Sequence, residues 1–128
     1  MSDVPKYSLK RDSMLKRKSE IDNLFSNGKK FFLPNLMCIS FVKKEIENPC
    51  FKFFMSVPKK KIKNANKRNL VKRRIKECVR LNCTEVKALC KEQKLTIHFG
   101  VIYINSIIED FNTIQVSIKQ SLEKIINF

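Results

Sequence analysis

The spacing of apolar residues predicts that helices and strands alternate along this chain of 128 residues. Apolar positions that repeat every three or four residues predict helices, and dense runs of aromatic and branched residues predict strands. The predicted elements are, in order, a helix over residues 19–27, a strand over 31–44, a strand over 51–57, a helix capped by Asn64 or Asn66 that ends near residue 81, a helical segment over 84–93, a strand over 95–105 and a last helix capped by Asn112 or Thr113.

Local signals predict the ends of the first helix and the pairing of the first two strands. Ser19, with Asp22 three positions later, is a weak capping box, and Gly28 is expected to end the helix in a left-handed conformation. Pro34 belongs near the start of its strand or at a sheet edge, because proline cannot donate to a strand ladder. Residues 45–49 form a polar turn, so we expect the two strands to pair as an antiparallel hairpin.

The order of the elements predicts an α+β fold with the sequence α-β-β-α(α)-β-α. We expect a single-domain α/β sandwich over residues 1–128, in which helices cover a small, mostly antiparallel sheet. Residues 95–105 have the apolar density of a central strand that is buried on both faces. Residues 1–12 show no periodicity and are expected to form an extended basic arm.

Composition favours an intracellular protein without a metal site. The chain is 43% hydrophobic, which is enough to form a core, and its five cysteines are an odd number with no C-x-x-C pair. With a single histidine, we expect reduced thiols and no bound metal. No apolar run is long enough to span a bilayer, and the N-terminal residues lack the apolar stretch of a signal peptide. We therefore predict a cytoplasmic protein that does not act at a membrane.

Positive charge is concentrated in one segment of the chain. The formal net charge is +15, and residues 59–80 contribute +10 of it through eleven basic residues and one acidic residue, Glu77. Such an excess destabilises a compact domain by self-repulsion unless an anion neutralises it. The clustering therefore predicts a polyanionic partner.

A helical projection of this segment separates two faces at about 100° per residue. The apolar face, which is expected to pack on the sheet, consists of Val71, Ile75, Cys78 and Val79. The opposite side carries a cationic stripe of Lys72, Arg73, Lys76 and Arg80, while Arg68 and Arg74 flank the apolar face and could reach round it. Like charges four residues apart weaken a helix, so we expect a bound polyanion to compensate them.

RNA is the polyanion that the residues favour. No zinc finger, leucine zipper or helix-turn-helix pattern points to duplex DNA, and aromatic strand residues offer surfaces for unpaired bases. A membrane surface and a self-sufficient nuclease are the alternatives. The nuclease is disfavoured because the only histidine, His98, lies in a predicted strand and no acidic cluster has metal-ligand spacing.

Residues 67–80, KRNLVKRRIKECVR, resemble the signature helix of the bacterial ribonuclease P protein component, which reads roughly R-N-R-x-K-R-x-x-R-E. Residues 56–61, SVPKKK, resemble the strand end and basic loop of that family, and residues 15–29 resemble its N-terminal helix with a closing glycine. Leu70 stands where the family has its second signature arginine, and Arg74 is a candidate to compensate for that loss.

The resemblance implies the protein subunit of a ribonucleoprotein endoribonuclease that removes the 5′ leader of precursor transfer RNA. In that family the RNA subunit performs the cleavage with magnesium that is bound largely by RNA. No catalytic residue and no cofactor are therefore expected on the protein, and its partners would be ribonuclease P RNA and precursor transfer RNA. The alternative is a basic ribosomal or RNA-chaperone protein without an enzymatic partner.

The expected site residues fall into two groups. Those expected to bind RNA carry positive charge or match the family signature, and they are Lys59, Lys60, Lys61, Lys67, Arg68, Asn69, Lys72, Arg73, Arg74, Lys76 and Arg80. By resemblance, Ile21 and Phe25 line a cleft for the 5′ leader, with Ile21 in place of an aromatic residue. The sequence leaves open which face of the sheet forms that cleft.

Overall fold

The computed structural model describes residues 13–126, and its elements follow the predicted order. These elements are α1 (Lys18–Asn27), β1 (Lys29–Phe32), β2 (Leu36–Lys44), β3 (Phe51–Ser56), α2 (Ala65–Asn82), α3 (Thr84–Gln93), β4 (Leu95–Tyr103) and α4 (Phe111–Ile126). The predicted basic arm, residues 1–12, lies outside the described residues.

The four strands form one mixed sheet in the order β1-β2-β4-β3. β2 pairs antiparallel with both β1 and β4, whereas β3 pairs parallel with β4. β4 is buried along nearly its whole length and has a paired strand on each side. The prediction that residues 95–105 contain a central strand is therefore confirmed.

The predicted strand over residues 31–44 is two strands, because the chain reverses at residues 33–35. Pro34 lies in this turn, where it needs no ladder partner, and the N–H of Leu33 donates to the carbonyl oxygen of Leu36 at 2.8 Å. β1 consequently folds back on β2 as a short edge strand, with Phe31 opposite Cys38.

The predicted hairpin between β2 and β3 is wrong, because β4 lies between them. Ile97 of β4 is opposite Val42 of β2 on one side and Phe51 of β3 on the other. β4 is apolar on both faces, so the interior of the sheet is the position that buries it best. β3 reaches β4 through α2 and α3, the kind of long connection that parallel strands need.

Helices cover both faces of the sheet and create two apolar clusters. α2, α3 and α4 pack on one face, and α1 packs on the other, where Leu24 and Ile39 are buried. Gly100 permits this approach of α1, since a Cβ atom there would lie 2.8 Å from Ile39 Cγ2 and 3.1 Å from Leu24 Cδ2. α1 leaves Phe41 and Phe54 partly exposed on its side of the sheet.

The ends of α1 differ from the prediction. The helix begins at Lys18, so Ser19 lies inside it and is not the cap. Gly28 has a φ of −77°, which is not left-handed. Glycine is required at this position because there is no room for a side chain: a Cβ atom would lie 2.5 Å from the carbonyl oxygen of Leu24 and 2.7 Å from Ile39 Cγ1.

Side-chain caps are present at the N-termini of α2 and α4. Asn64 caps α2, as one of the two predicted alternatives, and its Oδ1 accepts a hydrogen bond from the N–H of Lys67 at 3.1 Å. In α4 the capping acceptor is Asp110, which receives the N–H of Thr113 at 2.8 Å. The predicted caps Asn112 and Thr113 therefore lie two and three residues too late, within the helix.

Candidate nucleic-acid interface

α2 is anchored to the body of the protein by its apolar face. Val71, Ile75, Cys78 and Val79 are completely buried, as predicted, and the helix packs on α4 and β3. Burial of each aliphatic side chain contributes roughly 1.5–3 kcal/mol. The helix is therefore held in one orientation, and its opposite face is presented to solvent.

The opposite face of α2 and the loop before it form an uncompensated cationic surface. Within residues 13–126, ion pairs join Lys43 to Glu45, Lys52 to Glu20 and Arg80 to Glu77, and none of them involves the other predicted RNA-binding cations. Lys72 is partly buried, and the remaining members are exposed. We call this set the cationic face, and it consists of Lys59, Lys60, Lys61, Lys67, Lys72, Arg73 and Lys76.

Arg80 differs from the cationic face because it is paired within its own helix. Its Nε donates to Glu77 Oε1 at 2.9 Å, and its Nη2 donates a second bond to Glu77 Oε2. The Arg80 guanidinium lowers the pKa of Glu77, and the same hydrogen bond raises the pKa of Arg80. The only acidic residue of the segment therefore neutralises one of the predicted RNA-binding cations.

Arg68 organises the basic loop. Its Nη1 donates to the carbonyl oxygens of Ile62 at 3.1 Å and Lys63 at 2.7 Å. The side chain of Ile62 is buried, and the N–H of Lys61 closes a turn on the carbonyl of Pro58 at 3.0 Å. The first signature arginine thus holds the loop that carries the lysines, a role that no sequence pattern predicted.

Arg74 points toward the segment before α4 and away from the cationic face. Its Nη1 donates to the carbonyl oxygen of Glu109 at 2.6 Å. The Glu109 carboxylate in turn accepts hydrogen bonds from Asn35 at 2.6 Å and Asn105 at 3.1 Å. Arg74 is therefore engaged with the segment before α4 and does not take the position of the signature arginine that Leu70 replaces. The sequence analysis did not predict the polar network around Glu109.

The two signature residues between these arginines have different environments. Asn69 is exposed beside the cationic face. Leu70 is partly buried, which an aliphatic side chain tolerates well. The side chain of Asn69 makes no hydrogen bond within the described residues.

Ile21 and Phe25 lie on the α1 side of the sheet and pack together with Phe54. The rings of Phe25 and Phe54 meet edge to face with centroids 5.8 Å apart, a favourable aromatic geometry. All three side chains are partly exposed, so they present apolar surface to solvent where α1 meets the sheet. We call it the aromatic groove; Phe54 belongs to it although the sequence did not single it out.

The aromatic groove and the basic loop are connected through β3. Phe54 lies on this strand, which ends at Ser56, and Lys59 begins the cluster of loop lysines three residues later. The short connection keeps a surface suited to unpaired bases near one suited to phosphates.

The described residues contain no group of three or more His, Cys, Asp or Glu side chains that could hold a metal ion. His98 is buried in β4, and burial lowers the pKa of its imidazole, so the neutral form is favoured. None of the helices in residues 13–126 is long and apolar enough to cross a membrane.

Comparison with known proteins identifies the family of this chain. The family model of ribonuclease P matches residues 9–126. The chain belongs to the ribonuclease P protein family. The ribonuclease P protein component of Porphyromonas gingivalis is 27% identical over 125 residues, which cover 98% of this chain and 91% of the relative. That of onion yellows phytoplasma is 40% identical over 72 residues, which cover 56% of this chain and 49% of the relative.

Solved ribonuclease P proteins share the fold. The protein from Staphylococcus aureus superposes with a TM-score of 0.63 at 22% identity, covering 89% of this chain and 94% of that structure. The protein from Thermotoga maritima gives a TM-score of 0.66 at 19% identity, with 87% and 96% covered. The predicted family and the predicted α+β fold class are both confirmed.

Proposed function

We propose that this chain is the protein subunit of ribonuclease P and that residues 1–128 form one RNA-binding domain acting in the cytoplasm. In this proposal it binds the catalytic RNA and the 5′ leader of precursor transfer RNA and so promotes maturation of the 5′ end. The observation that carries the proposal is the cationic face, which has no carboxylate partners within the described residues. It lies on α2, a helix anchored by four buried side chains, and on the loop before it.

Electrostatics supplies the docking free energy. A lysine or arginine that neutralises a phosphate releases condensed counterions, so affinity falls as salt rises. The cationic face offers seven such groups, and Asn69 adds an uncharged hydrogen-bonding group beside them. Arg68 contributes mainly by holding the loop, since its guanidinium bridges two backbone carbonyls.

The aromatic groove supplies preference for precursor over product. Ile21, Phe25 and Phe54 offer partly exposed apolar surface on which unpaired leader bases can pack. A contact made only with the leader favours precursor by its own free energy, and about 1.4 kcal/mol gives a factor of ten. Mature transfer RNA has no leader, so it gains nothing from this groove.

We assign the chemical step to the RNA subunit, together with the magnesium that it needs. The protein assists by reducing repulsion between two RNAs and by displacing monovalent counterions that compete with magnesium. No side chain of the protein is given a catalytic role.

Reconstitution tests the proposal. The protein is mixed with a bacterial ribonuclease P RNA and precursor transfer RNA at low magnesium, and 5′ cleavage is compared with that of the RNA alone. We expect faster cleavage with the protein and a loss of the effect in the double variant Lys72→Ala/Arg73→Ala. The charge-matched control is Lys91→Ala/Lys119→Ala, which removes two exposed cations from α3 and α4.

Two outcomes contradict the proposal. Cleavage no faster than with RNA alone favours a ribosomal or RNA-chaperone role without an enzymatic partner. Equal losses in the two double variants show that net charge matters and that the cationic face is not a specific docking surface.

A further inference from the structure

A second pocket lies on the α1 side of the sheet, and its lining includes neither Ile21 nor Phe25. It has a volume of about 700 Å³ and lies between the start of α1, the end of β2, the start of β4 and the loop before β3. This volume is within the range of small-molecule sites. Glu20 and Ile21 are neighbours on α1 and point about 100° apart, so the helix separates this pocket from the aromatic groove. We call it the Glu20 pocket.

Two buried polar atoms in the Glu20 pocket have no hydrogen-bond partner. His98 is only 4% exposed, yet its Nδ1 makes no hydrogen bond. Glu20 Oε1 is likewise buried without a hydrogen bond, and its nearest cation, Lys52 Nζ, lies 3.7 Å away. Buried polar atoms are nearly always hydrogen-bonded, so His98 Nδ1, without a hydrogen bond, and Glu20 Oε1, held only by its ion pair with Lys52, suit a ligand that brings hydrogen-bonding groups.

The charges around the pocket exclude a simple ion as that ligand. Three cations and three carboxylates line it, namely Arg17, Lys43, Lys52, Glu20, Glu45 and Glu47. A free phosphate would face as many negative as positive groups. A metal ion would face the Lys52 ammonium, and no set of three metal-ligating side chains is present in residues 13–126. The pocket therefore suits an uncharged polar group with hydrogen-bond donors.

We propose that the Glu20 pocket binds the base of an unpaired guanine nucleotide, an inference that rests on the proposed RNA-binding function. The Watson–Crick edge of guanine carries two adjacent donors, N1–H and the N2 amine, which match the two oxygens of one carboxylate. Adenine, cytosine and uracil lack this pair of donors. The Glu20 carboxylate accepts hydrogen bonds from both groups, and Nδ1 of the neutral His98 imidazole forms a hydrogen bond with the ligand.

Histidine NMR tests the proposal on the unmodified protein, because His98 is the only histidine in the chain. The protein is labelled at histidine and titrated with guanosine, inosine, adenosine and cytidine monophosphates, and with inorganic phosphate. We expect guanosine monophosphate to shift the His98 signals with a Kd of about 1 mM or lower and at least about tenfold tighter than the adenosine and cytidine nucleotides. Inosine monophosphate, which lacks the N2 amine, should bind more weakly than the guanosine nucleotide.

A matched pair of variants locates the contact. Glu20→Gln replaces the carboxylate by an amide of the same shape, in which one acceptor oxygen becomes an NH2 donor, and it should remove the guanine preference. Asp22→Asn changes the same charge at an exposed position of α1 outside the pocket and should retain it. The amide spectrum of each variant shows whether it is folded, and the comparison of guanosine with inosine nucleotides needs no variant.

Two trinucleotides distinguish a strand of RNA from a free nucleotide as the source. UGU binding at least about tenfold tighter than guanosine monophosphate identifies an RNA strand, while equal binding identifies a free-nucleotide site. Four outcomes overturn the proposal. They are no shift with any nucleotide, equal shifts with all of them, a shift reproduced by inorganic phosphate, and an unchanged guanine preference in Glu20→Gln. These titrations contain no ribonuclease P RNA, so a negative result contradicts guanine binding and not the proposed function. A negative cleavage assay contradicts the proposed function and not guanine binding.

Discussion

Arg73 and Arg80 occupy the same helix, yet the structure predicts that they contribute unequally to RNA docking. Arg73 is exposed and has no ion pair within residues 13–126, whereas the Arg80 guanidinium is held by Glu77. Sequence reasoning placed both on one cationic stripe. The substitutions Arg73→Ala and Arg80→Ala remove the same charge and therefore test whether the pairing matters.

The expected magnitude follows from counterion release. One phosphate contact contributes about 0.7 to 0.9 to the slope of log affinity against log salt, which is about four- to fivefold between 1 M and 0.15 M salt. Arg73→Ala should lose about that factor, or about 1 kcal/mol. To reach a phosphate, Arg80 must give up its ion pair with Glu77, and that loss offsets part of the gain. Its substitution should therefore cost only about one- to threefold.

Binding of ribonuclease P RNA to each variant, measured across a salt series, provides the assay. In a Glu77→Gln background the carboxylate is gone, so Arg80→Ala should cost more than it does in the unmodified protein. Equal losses for Arg73→Ala and Arg80→Ala in the unmodified background, or an unchanged salt slope in Arg73→Ala, would refute the reasoning.

Four further predictions concern the groove, the loop, the packing of α1 and pH. Phe25→Ala removes the edge-to-face contact with Phe54 and should reduce the preference for leader-bearing over leaderless substrate by about three- to tenfold, as measured by competition binding. Arg68→Lys retains charge but cannot reproduce both loop hydrogen bonds, and it should expose the basic loop to limited proteolysis. Gly100→Ala crowds Ile39 and Leu24 and should lower the free energy of unfolding by about 1–3 kcal/mol in urea denaturation. Burial lowers the pKa of His98 from 6.5; Lys52 and Lys43 lower it further, and Glu20 opposes the shift. The neutral imidazole should therefore contribute its full stability above pH 6.5, and this contribution should decline below pH 6.5, toward the folded-state pKa.

Each of these predictions has a control. Phe32→Ala removes an exposed ring from edge strand β1 and should leave leader preference unchanged if the groove assignment is right. A loop in Arg68→Lys as resistant to protease as the unmodified loop contradicts the positioning role. Gly100→Ala with an unchanged urea midpoint would show that α1 relaxes at no cost. For His98, the decline toward acid pH should be absent in His98→Gln, which cannot titrate.

The sequence predicts what depends on local periodicity. The two faces of α2 follow from the 3.6-residue repeat alone, so the buried positions Val71, Ile75, Cys78 and Val79 were identified correctly. The apolar density of residues 95–105 indicated a central strand, because only a strand in the interior of the sheet has both faces buried. The capping of α2 by Asn64 is also local, because donor and acceptor are three residues apart.

Partners distant along the chain were not predictable. Arg74 donates to Glu109, 35 residues away, and nothing between them signals that contact. The place of β4 between β2 and β3 likewise depends on which arrangement buries the most apolar surface, whereas the hairpin prediction considered only the short turn between β2 and β3. Arg80 is the exception, because its pairing with Glu77 three residues earlier is a helical spacing that the sequence displays.

The amino-acid sequence by itself determined the family, the order of the elements and the existence of a cationic face, because periodicity and charge clustering are properties of neighbouring residues. Only the tertiary structure decided which cations remain available, on which side of the sheet the aromatic groove lies and that Glu20 and His98 share a pocket. Apart from the Arg80–Glu77 pair, those features depend on hydrogen bonds and close approaches between segments that only folding brings together, so no local pattern encodes them.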